Sequence, residues 1–132
     1  AYYNSKLANL LFTYELQRKF EKHNLNIMAI AAHPGGSATN LARHVEKKFW
    51  FRFLKPIFYL LVQSAAMGTL PQVRASVDPS VKGGEYYGPG GANEMKGYPV
   101  IVKSIPASHN LEDAKKLWEL SEQLTKVEYD FN

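Results

Sequence analysis

The chain has 132 residues, of which 45% are hydrophobic and 21% charged, and this length and balance are those of one globular domain. The absence of cysteine excludes disulfides and thiolate-ligated metals, and it fits a reducing compartment such as the cytoplasm. The net charge of +4 comes from scattered basic residues, a distribution that argues against nucleic-acid binding.

A helical pattern opens the chain, which has no initiator Met. Apolar residues recur at helical spacing from Tyr2 to about Lys22, and the helix is predicted to end near His23 and Asn24. Because natural proteins seldom begin inside a helix, we expect an incomplete or processed chain.

A buried strand is predicted next. Residues 26–32 form a continuous apolar run (Asn-Ile-Met-Ala-Ile-Ala-Ala), which is typical of a strand covered on both faces in a parallel sheet. The run stops at His33 and the breaker Pro34-Gly35-Gly36. These residues are expected to form a turn at the carboxyl end of the strand, where ligands of open α/β sheets bind.

The rest of the chain predicts helices and one further strand. Residues 38–48 are predicted to be irregular or a short helix, residues 49–62 to be helical with a bend at Pro56, and residues 85–88 to be a strand. Ser64 is typical of an N-cap for a helix through Ala75. An irregular stretch is predicted over residues 98–109.

A last helix is predicted from about Asn110 to Lys126, with Leu117, Leu120 and Leu124 on one face. Trp118 lies beside these leucines and is expected to pack in the core or between elements. This alternation of helices and strands predicts an α/β fold. Two strands alone cannot form a sheet with both faces covered, so further strands must come from elsewhere in the protein or from another chain.

The aromatic stretch 49–62 (FWFRFLKPIFYLLV) is the candidate for a membrane contact. It is too short to span a bilayer, and Arg52, Lys55 and Pro56 interrupt it. A helical pair that covers a pocket or packs on a partner is the preferred interpretation. A peripheral membrane contact is the alternative.

Tyr2 and Lys6 are four residues apart and therefore share a helix face. A nearby ammonium favours the ionised phenol, and such a tyrosine can give a proton to a carbonyl oxygen as hydride arrives, or accept one in reverse. About one such pair is expected by chance in a chain with eight Tyr, so the pair alone is weak.

The Pro34-Gly35-Gly36 turn adds a second feature. Glycine lets a flat cofactor ring approach the backbone, and free N–H groups with the Thr39 hydroxyl can bind a carboxamide or a phosphate. A plain strand-to-helix turn is the alternative on local chemistry alone.

Four ordered segments resemble the short-chain dehydrogenase/reductase family, in its retinol dehydrogenase-like branch. They are AYYNSKLANLLF, AIAAHPGGSATNL, SAAMGTLPQVRASVDPSVKGGEYYGPGG and LEDAKKLWELSEQLT. The resemblance covers nearly the whole chain. It implies the C-terminal part of a Rossmann-type doubly wound parallel sheet, within a single NAD(P)-binding domain whose N-terminal half is missing.

The resemblance also implies roles for individual residues. Tyr2 would be the catalytic acid/base, and Lys6 would favour its ionised form and hold the nicotinamide ribose hydroxyls, so both also bind the cofactor. The turn residues Pro34, Gly35 and Gly36 would lie against the nicotinamide, and Thr39 would reach its carboxamide or the phosphates.

Residues 40–62 would cover the substrate, and their aromatic content suits an apolar aldehyde, ketone or alcohol. The family's glycine-rich phosphate loop, Asn-Ala-Gly segment and catalytic Ser all precede the tyrosine, and none of them is in this chain. The choice between NAD and NADP therefore cannot be read, although the branch leans toward NADP.

The function expected from this resemblance is that of an NAD(P)-dependent oxidoreductase as the full-length protein, with this chain alone inactive. The alternative is a non-catalytic truncated fragment that acts as an interaction module. No metal site is expected, because His23, His44 and His109 have no carboxylate or second His at ligand spacing. A homo-oligomer is left open.

Overall fold

The structure, a computed structural model, describes residues 2–36 and 63–131, which form a mixed α/β fold. In chain order its elements are helix α1 (Tyr2–Lys22), strand β1 (Ala31–Ala32), helix α2 (Ala65–Val77), strand β2 (Tyr86–Pro89), strand β3 (Pro99–Ile101) and helix α3 (Leu111–Thr125). Two 3-10 turns, Ala92–Glu94 and Pro106–His109, lie between them.

The chain divides into two compact units. The described residues of the first unit lie within Ala1–Ala31, Val81–Tyr86 and Lys103–Asn132, and those of the second lie within Ala32–Ser80 and Tyr87–Val102. The first unit therefore holds α1 and α3, and the second holds α2 and β3.

The prediction for the first helix is confirmed at both ends. Helix α1 ends at Lys22, and Asn24 then takes a left-handed φ of 54°, a conformation that Asn tolerates. The N–H of Leu25 donates to the carbonyl of Phe20 at 2.9 Å, which closes the C-terminus of the helix.

The sheet has the strand order β1-β2-β3. Beside β2, the N–H of Ala31 donates to Glu85 O at 3.1 Å and the N–H of His33 donates to Tyr87 O at 2.9 Å. Both strands advance in the same direction between these two bonds, so this pairing is parallel. Strands β2 and β3 are antiparallel, with Gly88 opposite Val100.

The strand predicted over residues 26–32 is shorter in the structure. Only Ala31–Ala32 has regular strand pairing, and the side chains of Ile27 and Met28 are exposed. Burial on both faces was therefore the wrong expectation for these two residues. A continuous apolar run is typical of a strand that is covered on both faces. Among the described residues, however, this segment pairs with one neighbouring strand, β2.

Both predicted helix caps are confirmed. The hydroxyl of Ser64 accepts from the N–H of Met67 at 3.2 Å, and α2 runs two residues beyond Ala75 to Val77. The side-chain oxygen of Asn110 accepts from the N–H groups of Glu112 and Asp113 and begins α3.

The stretch 98–109 was predicted to be irregular, and this was wrong for Pro99–Ile101 and for Pro106–His109. The strand Pro99–Ile101 has only three residues and begins with proline, so its sequence shows no alternation of polar and apolar side chains. The strand is defined instead by its pairing with β2, whose Tyr87 lies opposite Ile101.

The predicted packing of Trp118 on α3 is confirmed. Ala114 and Trp118 are buried, whereas Leu120 and Leu124 are exposed. The Trp118 ring stacks on Phe12 at 5.0 Å between centroids, and Nζ of Lys19 lies 4.6 Å from its centroid. The large indole therefore supplies a contact between α3 and α1.

Several predictions lie outside the described residues. These are the segments 38–48 and 49–62, the role of Thr39, the substrate cover over residues 40–62 and the membrane contact of the aromatic stretch. In the described part of the chain, no helix is long and apolar enough to cross a membrane.

Candidate active site

Tyr2 and Lys6 share one face of α1 in the first unit, as predicted from their spacing. Nζ of Lys6 lies 5.5 Å from the centroid of the Tyr2 ring, which is a cation–π distance. The Tyr2 side chain is 70% exposed, and Lys6 is exposed too. The phenol and the ammonium are therefore both accessible to a ligand.

The residues next to this pair lack its arrangement. Tyr3 is also exposed and meets Tyr2 edge-on at 6.1 Å between ring centroids, but the residue four positions after it is Leu7. The hydroxyl of Ser5 donates to the carbonyl of Tyr2 at 2.7 Å, so its proton is engaged by the helix itself. Tyr3 thus provides a matched control for Tyr2.

The turn Pro34-Gly35-Gly36 belongs to the second unit. Gly35 has a left-handed φ of 61°, and a Cβ atom there would lie 2.6 Å from Glu94 O and 2.8 Å from Met95 O. A Cβ atom on Gly36 would overlap the methyl group of the Met95 side chain. Both glycines are therefore required by the close approach of residues 94 and 95 of the chain itself.

The backbone polar groups of this turn are also engaged internally. The N–H of Gly36 donates to Met95 O at 2.9 Å, and the N–H of Gly35 approaches Nδ1 of His33 at 3.3 Å. These are the groups that the sequence suggested for a carboxamide or a phosphate. Of the three turn residues, Pro34 is exposed, whereas Gly35 and Gly36 are partly buried.

Gln63 holds the turn and was not identified from the sequence. Its Nε2 donates to Pro34 O at 2.9 Å, and its backbone N–H donates to Gly36 O at 2.8 Å. Its Oε1 accepts from the N–H of Gly97 at 3.0 Å. No local pattern marks Gln63, because its partners lie 29 and 34 positions away along the chain.

His33 and Glu94 make a second link between the turn and the 3-10 segment. Nε2 of His33 lies 3.0 Å from a carboxylate oxygen of Glu94, and the imidazole fills the space that a Cβ atom on Gly88 would occupy. The His33 ring therefore packs between these segments of the second unit.

The predicted site residues thus fall into two groups. Tyr2 and Lys6 are together on α1, and Pro34, Gly35 and Gly36 are together in the turn of the other unit; Thr39 lies outside the described residues. Within residues 2–36 and 63–131, no three His, Asp or Glu side chains converge to hold a metal ion.

No family model matches the chain. It is, however, 33% identical over 127 residues to retinol dehydrogenase 14 of Homo sapiens, an alignment that covers 92% of the chain and 34% of that protein. It is 32% identical to human retinol dehydrogenase 13, over 97% of the chain and 37% of the relative, and 32% identical to human polyprenol dehydrogenase. The chain therefore spans about a third of the length of these relatives.

A solved structure shares the fold. The crystal structure of an uncharacterized protein from Mycobacterium paratuberculosis matches with a TM-score of 0.69 at 33% sequence identity. The match covers 98% of this chain and 40% of the other. The described helices and strands thus have the fold of the C-terminal part of a Rossmann-type α/β domain, and the chain corresponds to less than half of that protein.

Proposed function

Since the chain belongs to the short-chain dehydrogenase/reductase family, we propose that it is the C-terminal part of an NAD(P)-dependent oxidoreductase. The enzyme would transfer hydride between the nicotinamide and a carbonyl or alcohol. The observation that carries the proposal is the exposed Tyr2–Lys6 pair on one face of α1. The names of the relatives support a dehydrogenase at the level of the family.

Tyr2 would act as the acid/base. In the direction of reduction its hydroxyl gives a proton to the carbonyl oxygen while that oxygen gains charge, and in the direction of oxidation its ionised form accepts the alcohol proton. Its 70% exposure leaves the hydroxyl free to reach a substrate. The dinucleotide, when bound, supplies or accepts the hydride.

Lys6 would serve both the tyrosine and the cofactor. Its ammonium lies 5.5 Å from the centroid of the Tyr2 ring, a cation–π distance at which it can hold the ring in place. An ammonium also has three N–H donors, so it can hold two ribose hydroxyls of the nicotinamide side. Both roles require the exposed position that Lys6 has on α1.

The turn would contribute shape rather than hydrogen bonds. Pro34 is exposed and offers an apolar ring to the flat nicotinamide, whereas the N–H groups of Gly35 and Gly36 have partners within the chain. In this proposal the two glycines hold the turn in its form, and a hydroxyl such as that of Thr39 makes the polar contact with the carboxamide or phosphates.

The cofactor that we propose is NADP in preference to NAD, following the retinol dehydrogenase-like branch. The proposed substrate is an apolar carbonyl or alcohol, because the relatives are named for retinol and polyprenol. Residues 40–62, rich in aromatic side chains, would cover it.

The test is cofactor-dependent turnover by the natural protein that contains this chain. NADPH or NADH consumption is followed with a polyene aldehyde, a long-chain aldehyde and a small polar aldehyde. We expect turnover with the apolar aldehydes and preference for NADPH. If the protein neither binds nor consumes either dinucleotide, this result contradicts the proposal and favours the non-catalytic alternative.

A variant of Lys6 makes this test specific to the site. Lys6→Met is expected to weaken dinucleotide binding and to slow turnover, because it removes the donors to the ribose and the cation beside Tyr2. Lys22→Met changes an exposed lysine in the last turn of the same helix and serves as the control. Equal effects of the two variants would argue against a role for Lys6.

A further inference from the structure

The Gln63 side chain is nearly excluded from solvent, at 7% exposure, and it joins two separate stretches of the second unit. On one side lies the Pro34–Gly36 turn, and on the other lies Gly97, shortly before β3. A buried polar side chain is costly unless it is hydrogen-bonded, and here both ends of the amide have partners.

The two side-chain bonds require an amide. Nε2 donates to Pro34 O at 2.9 Å, while Oε1 accepts from the N–H of Gly97 at 3.0 Å. A carboxylate can accept from Gly97 but cannot donate to Pro34, and an apolar side chain can do neither. The residue type at position 63 therefore determines whether both bonds are made.

These bonds determine where Pro34 lies. The carbonyl of Pro34 is tied to Gln63, and the next backbone groups along the turn are tied to Gln63 N–H and to Met95 O. Gly35, between them, adopts a φ of 61° against the backbone of residues 94 and 95. The exposed ring of Pro34 is thus presented from a turn that is held on both sides.

We infer that Gln63 is a positioning residue for the nicotinamide half of the cofactor, acting through the Pro34 carbonyl and the turn. This inference rests on the proposed function. Because Gln63 is buried, it would act on the cofactor through the turn and not by direct contact. Its amide sets the position of Pro34 relative to Gly97, and a displaced Pro34 presents its ring poorly to the nicotinamide.

Two substitutions separate positioning from general stability. Gln63→Glu removes the side-chain donor and keeps an acceptor. Gln63→Met removes both the donor and the acceptor and keeps a side chain of similar size. In the natural protein that contains this chain, we expect Gln63→Glu to weaken NADPH or NADH binding about tenfold near pH 8, as the loss of one buried hydrogen bond implies. Gln63→Met, which loses both bonds, should weaken it at least as much. Binding of ADP-ribose or its 2′-phosphate, which have no nicotinamide, should stay within about twofold of the unchanged protein.

A pH series provides the second readout. Burial beside the Pro34 carbonyl raises the pKa of a carboxyl at position 63, so it becomes neutral in mild acid and can then donate to Pro34 O. Dinucleotide binding by Gln63→Glu should recover below about pH 6, whereas Gln63→Met should not. Each value is expressed relative to the unchanged protein at the same pH, because His33 and Glu94 lie beside the same turn.

The control is Gln123→Glu, which makes the same chemical change at an exposed position on α3. Equal weakening of dinucleotide and ADP-ribose binding, or unchanged dinucleotide binding in both Gln63 variants, would overturn the inference while leaving the proposed function intact. If the unchanged protein binds no dinucleotide, the proposed function fails and this inference fails with it.

Discussion

Replacement of Gly35 by alanine is expected to destabilise the fold more than replacement of Gly84. Both glycines have left-handed φ angles, 61° and 78°, and a Cβ atom in that conformation costs roughly 1–2 kcal/mol. Their surroundings differ. At Gly84 the nearest atom to an added Cβ is Cγ of Gln17 at 3.7 Å, an ordinary contact, whereas at Gly35 two backbone oxygens lie at 2.6 and 2.8 Å.

A backbone carbonyl cannot rotate away as a side chain does, so residues 94 and 95 would have to shift. Overpacking of this kind typically costs about 1–3 kcal/mol. The expected loss in the free energy of unfolding is therefore about 2–5 kcal/mol for Gly35→Ala and about 1–2 kcal/mol for Gly84→Ala. Gly36→Ala should fall below Gly35→Ala, because its Cβ meets the flexible end of the Met95 side chain.

Equilibrium urea unfolding, followed by circular dichroism, measures these differences. The comparison is informative because Gly84→Ala isolates the cost of the backbone conformation. Equal losses for Gly35→Ala and Gly84→Ala would refute the claim that residues 94 and 95 press directly on the turn.

Three further predictions concern caps, packing and pH. Asn110→Ala should lower the free energy of unfolding by about 1 kcal/mol, since it removes the acceptor that begins α3, whereas Asn110→Asp should retain most of it. Trp118→Ala should cost about 3–5 kcal/mol, because the indole is only 4% exposed, and Leu124→Ala, at 75% exposure, should stay within about 0.5 kcal/mol. The hydroxyl and the backbone N–H of Ser80 donate to Asp78 and hold the pKa of that carboxyl below its ordinary value. The ionised form is thus favoured in the fold, so its contribution is present at neutral pH and is lost as pH falls through the lowered pKa. Carboxyl titration by NMR should show Ser80→Ala raising this pKa, and an unchanged value would exclude the hydroxyl as its cause.

Elements with a strong local signal were predictable from the sequence. Ser64 and Asn110 begin helices because their side-chain oxygens accept N–H groups two or three residues ahead, a relation contained within one turn of chain. The proximity of Tyr2 and Lys6 follows in the same way from the pitch of a helix. Four ordered segments also identified the family, although the Tyr2–Lys6 pair and the Pro34–Gly36 turn were each a weak signal alone.

Features that depend on distant partners were not predictable. Pro99–Ile101 is a strand because β2 lies beside it, and the helical spacing of the α3 leucines did not show that Leu120 and Leu124 would be exposed. The position of Gln63 is the clearest case in the candidate site. Its role depends on Pro34 and Gly97, and nothing in the neighbouring residues indicates either contact.

The glycines of the turn also have contacts with distant residues that their neighbours in the sequence do not indicate. The sequence indicated a turn at Pro34-Gly35-Gly36, but it did not indicate which residues of the chain lie against the two glycines. In the structure the backbone of residues 94 and 95 approaches Gly35, and the N–H of Gly36 donates to Met95 O. The contact of this turn with a cofactor stays a prediction.

The most direct measurement of the central claim compares Tyr2→Phe with Tyr3→Phe in the natural protein that contains this chain. Both changes remove one exposed phenol hydroxyl from the first turn of α1, but only Tyr2 has a lysine four residues ahead. Tyr2→Phe should lower kcat by about 10²–10⁴-fold with dinucleotide binding retained, while Tyr3→Phe stays near the unchanged rate. Undiminished turnover in Tyr2→Phe, or an equal loss in both variants, would contradict the assignment of proton transfer to Tyr2.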